Sequence, residues 1–108
     1  MTEECTLKFD PDGRVHLRGP LTFDTCTWLY RTMQRHLDRK QLPQEIDLSG
    51  ISTADSAGLA LLLEWQSICQ KAGAPLSVSG APDSLVALAR LCDADTRLNL
   101  DGRDSAGP

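Results

Sequence analysis

The residues whose chemistry is worth weighing first are Asp55 and Ser56, a carboxylate and a hydroxyl side by side just ahead of a Leu/Ala-rich run. Either side chain can accept from the unpaired amides at a helix start, where the peptide dipoles also leave partial positive charge. A phosphate carried by a hydroxyl there is electrostatically tolerated, which makes Ser56 a candidate for phosphorylation as well as a cap. Catalysis asks for more than this pair. A serine nucleophile needs a base, and His16 and His36 lie far away in sequence on unrelated elements. The chain has no GxxxxGK[ST], no GxGxxG after a strand, no HExxH, no GxSxG and no spaced metal set. His16 reads as a solvated strand residue without a second ligand or triad partner, and His36 as a residue on the solvent side of a helix. The four cysteines, Cys5, Cys26, Cys69 and Cys92, are widely spaced without a CxxC. Three of them fall at apolar helix positions, a pattern of reduced core thiols and not of disulfides or zinc ligands. No catalytic residue, metal or cofactor is therefore expected, and the pair points to a binding surface.

The elements that must position Asp55 and Ser56 lie on either side of them. Glu45-Ile46-Asp47-Leu48-Ser49 alternates polar with apolar, so a strand here sends Ile46 and Leu48 to one face. Ile51 extends the apolar side after Gly50, and Ser52 to Ser56 reads as a polar turn capping a helix. On that helix, at about 100° per residue, Leu59, Leu62, Trp65, Cys69 and Ala72 share one side, widened by Leu61, Leu63 and Ile68. So wide an apolar arc exceeds what one sheet face needs. Either the helix is nearly enclosed within the domain, or its flank near Leu59 to Leu63 is covered by another protein.

The rest of the chain supplies a sheet and two further helices. Residues 5–9 and 14–18 alternate around Asp10-Pro11-Asp12-Gly13, a β-hairpin. Gly19-Pro20-Leu21 leads into a helix from about Thr22 to Arg39. Its apolar face gathers Phe23, Leu29, Tyr30, Met33 and Leu37 within about 60° of Cys26. Trp28 lies almost opposite, where it is either an interface anchor or a ring lying against neighbouring polar stems or the N-terminal strand. Gly73-Ala74-Pro75 ends the central helix, Leu76 to Ser79 forms a short strand, and Pro82-Asp83 opens a third helix. Its stripe is Leu85, Leu88, Ala89 and Cys92. Arg97 to Leu100 reads as a last short edge strand, and residues 101–108 as a tail with nothing to bury. The order β-β-α-β-α-β-α-(β) predicts one α/β domain over residues 1–100. Its mixed sheet starts with an antiparallel hairpin, continues in parallel strands, and carries helices mainly on one face.

Bulk properties exclude several function classes. The 108 residues are 41% hydrophobic and 24% charged, ordinary for a single globular domain. The net charge of −4, with no basic run beyond Arg39-Lys40, argues against a nucleic-acid partner. MTEECTLKF lacks the basic and apolar regions of a signal peptide, and no apolar run reaches the ~20 residues of a membrane span. A cytoplasmic protein without direct membrane insertion is expected.

The run DLSGISTADSAGLALLL, residues 47–63, resembles the central signature of the STAS domain family. There a strand ending in a D-L-S-like run leads through an acidic residue, a hydroxyl residue, one small residue and Gly-Leu into a helix. Asp47-Leu48-Ser49 and Asp55-Ser56-Ala57-Gly58-Leu59 match it, and the length and order of elements agree. In the anti-sigma-factor antagonists of that family the regulatory phosphoserine stands directly before the Gly-Leu, where this chain has Ala57. The D-[ST]-small-G-L-A-L-L-L version is similar to the MlaB-type STAS subunit of the bacterial phospholipid-transporting ABC system. The resemblance implies a STAS fold with an exposed recognition edge at the signature turn. It implies a non-catalytic subunit docking through Asp55, Ser56, Ala57, Gly58, Leu59, Leu62 and Leu63, helped by Trp28, on a cytoplasmic MlaF-like ATPase of a complex that maintains outer-membrane lipid asymmetry. Such a subunit is cytoplasmic and peripheral to the inner membrane through the complex. Its free form is a candidate homodimer. The alternative is an anti-sigma-factor antagonist in a phosphorylation-controlled partner switch. Weak nucleotide binding at the same turn is a third reading, with no binding expected.

Overall fold

The structure is a computed structural model and describes residues 4–94. Its elements run β1 (Thr6–Phe9), β2 (Arg14–Leu21), α1 (Phe23–Asp38), β3 (Glu45–Ala54), α2 (Ser56–Lys71), β4 (Ser77–Ser79) and α3 (Asp83–Leu91). The strands form one four-stranded sheet in the order β1-β2-β3-β4. β1 and β2 pair antiparallel, with Lys8 opposite His16, and β3 pairs parallel with both β2 and β4. This is the mixed α/β architecture that the sequence pattern predicts. The expected edge strand over residues 97–100 and the tail over 101–108 lie outside the described residues.

The hairpin turn is built by Asp10, whose Oδ1 accepts from the amides of Asp12 (2.9 Å) and Arg14 (3.0 Å). Gly13 holds φ +87°, a conformation that costs glycine nothing and side-chain-bearing residues a good deal. Alternation in β2 and β3 then sends Val15, Leu17, Ile46 and Leu48 inward, each essentially without solvent exposure, and leaves Arg14, His16, Glu45 and Asp47 on the opposite face.

Two strands are longer than the alternation predicts. β2 continues through Gly19-Pro20-Leu21, and β3 through Ser52-Thr53-Ala54, segments read from sequence as a lead-in and a polar turn. They pair with each other, Gly19 to Ile51, Pro20 to Thr53 and Leu21 to Ala54, across register shifts after His16 and after Gly19. β1 pairs no further along β2 than Arg18, so Pro20 lies where no described strand runs on its other side, and its missing amide is tolerated. The extra residue taken up by β3 around Gly50 switches the inward position from Leu48 to Ile51, which hides the strand from a strict period of two.

The helices pack on one face. α1 lies against β1, β2 and α2; α2 lies against β2, β3 and both other helices; α3 lies against β3 and α2. A helix flanked on both sides needs a broad apolar arc. Leu59, Leu61, Leu62, Trp65 and Cys69 are all buried, so the width of the α2 stripe is explained inside the monomer. Leu29 and Met33 from α1 and Leu85 and Ala89 from α3 complete the core. Each fully buried side chain of this size contributes roughly 1.5–3 kcal/mol of transfer free energy.

The cysteines divide. Cys5 and Cys69 are buried and Cys26 is half-buried, but Cys92 is exposed. It occupies the C-cap of α3, where the helical stripe has already ended and Asp93 turns the chain with φ 59°. Phe23 and Tyr30 are likewise corrections, since they are 76% and 43% exposed despite their place on the apolar arc of α1. His36 is half-buried, stacked on Phe9 with ring centroids 4.6 Å apart.

Candidate functional site

The parallel strands β2 and β3 both end at the same edge of the sheet, and both are followed at once by a helix. Leu21 and Ala54 are register partners, so α1 and α2 start side by side. Asp55 joins the two starts. Its Oδ1 accepts from the amide of Gly58 at 3.0 Å, capping α2, and its Oδ2 accepts from the amide of Phe23 at 3.0 Å, the first residue of α1. Its own amide donates to the Leu21 carbonyl at 3.2 Å. Partial burial pushes the Asp55 carboxyl upward, but the amides of Phe23, Gly58 and Ala57 outweigh it and hold the group below the ordinary carboxylate value. Asp55 is thus a structural anion committed to amides of two helices, and it is unsuited to serve as a general base.

Gly58 is fixed by the same approach. A Cβ built on it would lie 2.2 Å from the Leu21 carbonyl oxygen and 2.7 Å from the Leu21 Cγ. The Gly of the signature is therefore where the first turn of α2 crosses the end of β2.

What remains open to solvent is narrower than the expected surface and partly different from it. Ser56 is exposed at the first position of α2, Ala57 and Asp55 are half-buried, Ala60 is exposed and Leu63 is half-buried. Gly58, Leu59 and Leu62 are buried, with Leu59 at 2% and Leu62 at 0%, so these three shape the edge from within the monomer. Trp28 is 51% exposed, but it does not line the cleft next to Ser56.

That cleft is the main feature sequence reasoning missed. It is a shallow groove between α1 and α2, widely open to solvent, of about 480 Å³, lined by Cys26, Thr27, Tyr30, Arg31, Ala57, Ala60 and Leu61. Phe23, Cys26, Thr27 and Tyr30 lie along one side of α1 at spacings of three and four. Helical spacing alone assigned Phe23, Cys26 and Tyr30 to the core; what exposes Phe23 is its position in the first turn, beyond the end of the sheet. The small Ala57 and Ala60 on α2 are what keep the facing wall low. Burial raises the Cys26 thiol above its ordinary value, with the Asp55 charge adding to the effect, so this cysteine is an apolar wall and not a thiolate.

Away from this edge, His16 is not the isolated histidine that the sequence suggests. Its Nδ1 lies 3.2 Å from Asp47 Oδ2 and its Nε2 3.1 Å from Asp10 Oδ2. Asp47 sits opposite it in the β2–β3 register, and Asp10 comes back from the hairpin turn. Both ring nitrogens thus face carboxylates and not a hydroxyl, thiol or amine nucleophile, and among the described residues no group of three or more His, Cys, Asp or Glu could hold a metal ion.

This arrangement of strands and helices matches solved structures of STAS type. The anti-sigma factor antagonist SpoIIAA in its unphosphorylated form is similar with a TM-score of 0.64, at 13% identity, over 89% of this chain and 98% of that one. A sulfate transporter family protein from Wolinella succinogenes is similar with a TM-score of 0.62, at 23% identity, over 84% of this chain and 75% of that one. At these identities the likeness is one of fold. None of the curated proteins matches the chain. Residues 5–100 match the family described as "Mlab, STAS domain", and the chain belongs to that family. STAS domains are protein-interaction modules. No helix among the described residues is long and apolar enough to cross a membrane.

Proposed function

We propose that this protein is a non-catalytic binding subunit that docks the common start of α1 and α2 onto the cytoplasmic ATPase of a phospholipid-transporting ABC complex that maintains outer-membrane lipid asymmetry. The observation that carries the reading is the open apolar groove lined by Tyr30, Ala57 and Ala60, with exposed Phe23 three residues before Cys26 on α1 and exposed Ser56 next to Ala57 on α2, in a chain of the Mlab, STAS family. Exposed aromatic rings around a low, small-residue wall are the composition of interface centres. Asp55 and Gly58 support the surface by fixing the two helix starts against each other.

The test is co-purification with a candidate ABC ATPase from the same organism. Phe23→Ser, Ser56→Arg and Ala60→Arg change exposed positions, so the variants remain folded by circular dichroism and lose the complex. Retained binding by all three, in folded protein, removes this surface from consideration.

A second reading rests on Ser56, exposed at the first residue of α2, and on the likeness of fold to an anti-sigma factor antagonist. In it, a kinase anti-sigma factor modifies Ser56 in a partner switch. Intact mass after incubation with ATP and candidate kinases decides: phosphate mapped to Ser56 favours the switch, and none there removes it.

A further inference from the structure

The face of the sheet that the helices leave uncovered carries charged residues in cross-strand pairs, and at its centre His16 is held by carboxylates on both ring nitrogens. The two contacts, 3.2 Å from Nδ1 to Asp47 Oδ2 and 3.1 Å from Nε2 to Asp10 Oδ2, place an acceptor at each nitrogen. A neutral imidazole has one N–H and can donate to only one of them, leaving a lone pair facing the other carboxylate. Only the imidazolium satisfies both. We infer that His16 is a pH-operated latch: as imidazolium it ties the β1–β2 turn, through Asp10, to the central strand β3, through Asp47, and on losing a proton it releases one of the two carboxylates.

The surroundings bear on both states of the ring. On β1, Lys8 lies opposite His16 in register. On β2, Arg14 and Arg18 share its face two residues away on either side. On β3 are Glu45 and Asp47, and Arg14 is paired with Glu45 at 3.5 Å. The turn adds Asp10 and the exposed Asp12. Arg14 is therefore partly neutralised by Glu45, while the two carboxylates in direct contact favour the charged ring. The hydrogen bond to Asp10 and then that to Asp47 raise the His16 value, with burial opposing them. The other Oδ of each carboxylate is already occupied, by the amides of Asp12 and Arg14 for Asp10 and by the amide of Ser49 for Asp47. The carboxylates are thus held in place to receive the ring. Side-chain exposure of 36% at His16, beside a cleft of about 370 Å³ lined by His16, Arg18, Asp47 and Ser49, gives protons free access.

The sign follows from these directions. A histidine whose folded value lies above the ordinary 6.5 stabilises the fold fully below 6.5, and that contribution is lost as pH rises through the folded value. Asp10, lowered first by the Arg14 amide and then by His16, and Asp47, lowered first by the Ser49 amide, contribute above the ordinary 3.8 and lose that contribution as pH falls through their own values. The latch is closed between these limits and opens on the alkaline side as the ring deprotonates.

Nitrogen-detected NMR of the imidazole ring in the full chain tests it, from about pH 5 to about pH 9 across the usual histidine range. The expected result is two protonated ring nitrogens below the folded titration point, and a midpoint above that of the same histidine in the urea-unfolded chain. Amide exchange, corrected for intrinsic rate, should accelerate several-fold as the ring deprotonates, at Asp12 and Arg14 if Asp10 is released or at Ser49 if Asp47 is, and should show no such step in His16→Gln. Asp10→Asn should shift the ring midpoint downward while leaving the sheet intact, which keeps the test open if the glutamine variant folds poorly. A ring with a single N–H near pH 6, or exchange steps of equal size in wild type and His16→Gln, overturns the latch.

Discussion

The carboxylate of Asp55 accepts the amide of Phe23 at 3.0 Å, across 32 positions of chain, while its other oxygen caps α2 through Gly58. One side chain thus serves the first turns of two helices. Asp55→Ala leaves an amide of each helix without its acceptor and is expected to lower stability by about 1–2 kcal/mol, the upper part of the range for a single cap; Asp55→Asn, which keeps one acceptor oxygen, costs less. Urea denaturation at neutral pH measures both. Because the Asp55 value is lowered in the fold, its contribution is present above the ordinary 3.8 and fades as pH falls through the folded value, so the gap between wild type and Asp55→Ala narrows in acid.

Gly58 inverts the ordinary helix ranking. In an open helix interior Ala is about 1 kcal/mol better than Gly, yet a Cβ here lies 2.2 Å from the Leu21 carbonyl oxygen. That neighbour is backbone and cannot swing aside. Gly58→Ala is expected to destabilise by about 1–3 kcal/mol, as for an overpacked core, and thermal denaturation measures it. A stabilised variant contradicts the close packing of α2 on β2.

Buried and exposed residues alternate sharply at the start of α2, and substitutions should separate them. Leu62, with no exposure, loses about 2–5 kcal/mol as Ala. Leu59→Asp places an unpaired charge in the core and is expected to abolish folding. Ala60→Arg, on the exposed side, should change stability by no more than about 0.5 kcal/mol. Circular dichroism against urea compares the three. Only the last is a clean probe of docking.

Thiol reactivity should follow burial. A disulfide reagent at mildly alkaline pH is expected to modify exposed Cys92 at once and half-buried Cys26 more slowly. Cys5, pushed up to about 11 chiefly by burial, and Cys69, raised by burial alone, should react only on unfolding. Mass spectrometry of partial digests identifies the order, and early labelling of Cys69 would contradict the core.

The alternation in residues 5–9, 14–18 and 45–49 and the helical stripe of α2 were legible in the sequence because each depends on neighbours a few positions away. So was a polar cap at Asp55 or Ser56, since short polar residues before an apolar run have a local reason to be there, although only the structure assigns it to Asp55. The full length of β2 and β3 was not, because Gly19 to Leu21 and Ser52 to Ala54 are strands only through pairing with each other. His16 shows the same limit: Asp10 and Asp47 are six and 31 positions away, and only the register puts both against one ring.

By itself the sequence determined the mixed α/β order of elements, the capped start of α2 and the inward faces of the strands, all consequences of local periodicity and turn chemistry. Tertiary structure decided which apolar residues are left over. The wide arc of α2 is filled by the sheet and two flanking helices, whereas Phe23, in the first turn of α1, stays 76% exposed. Burial depends on what arrives from elsewhere in the chain, and no spacing along a single helix contains that.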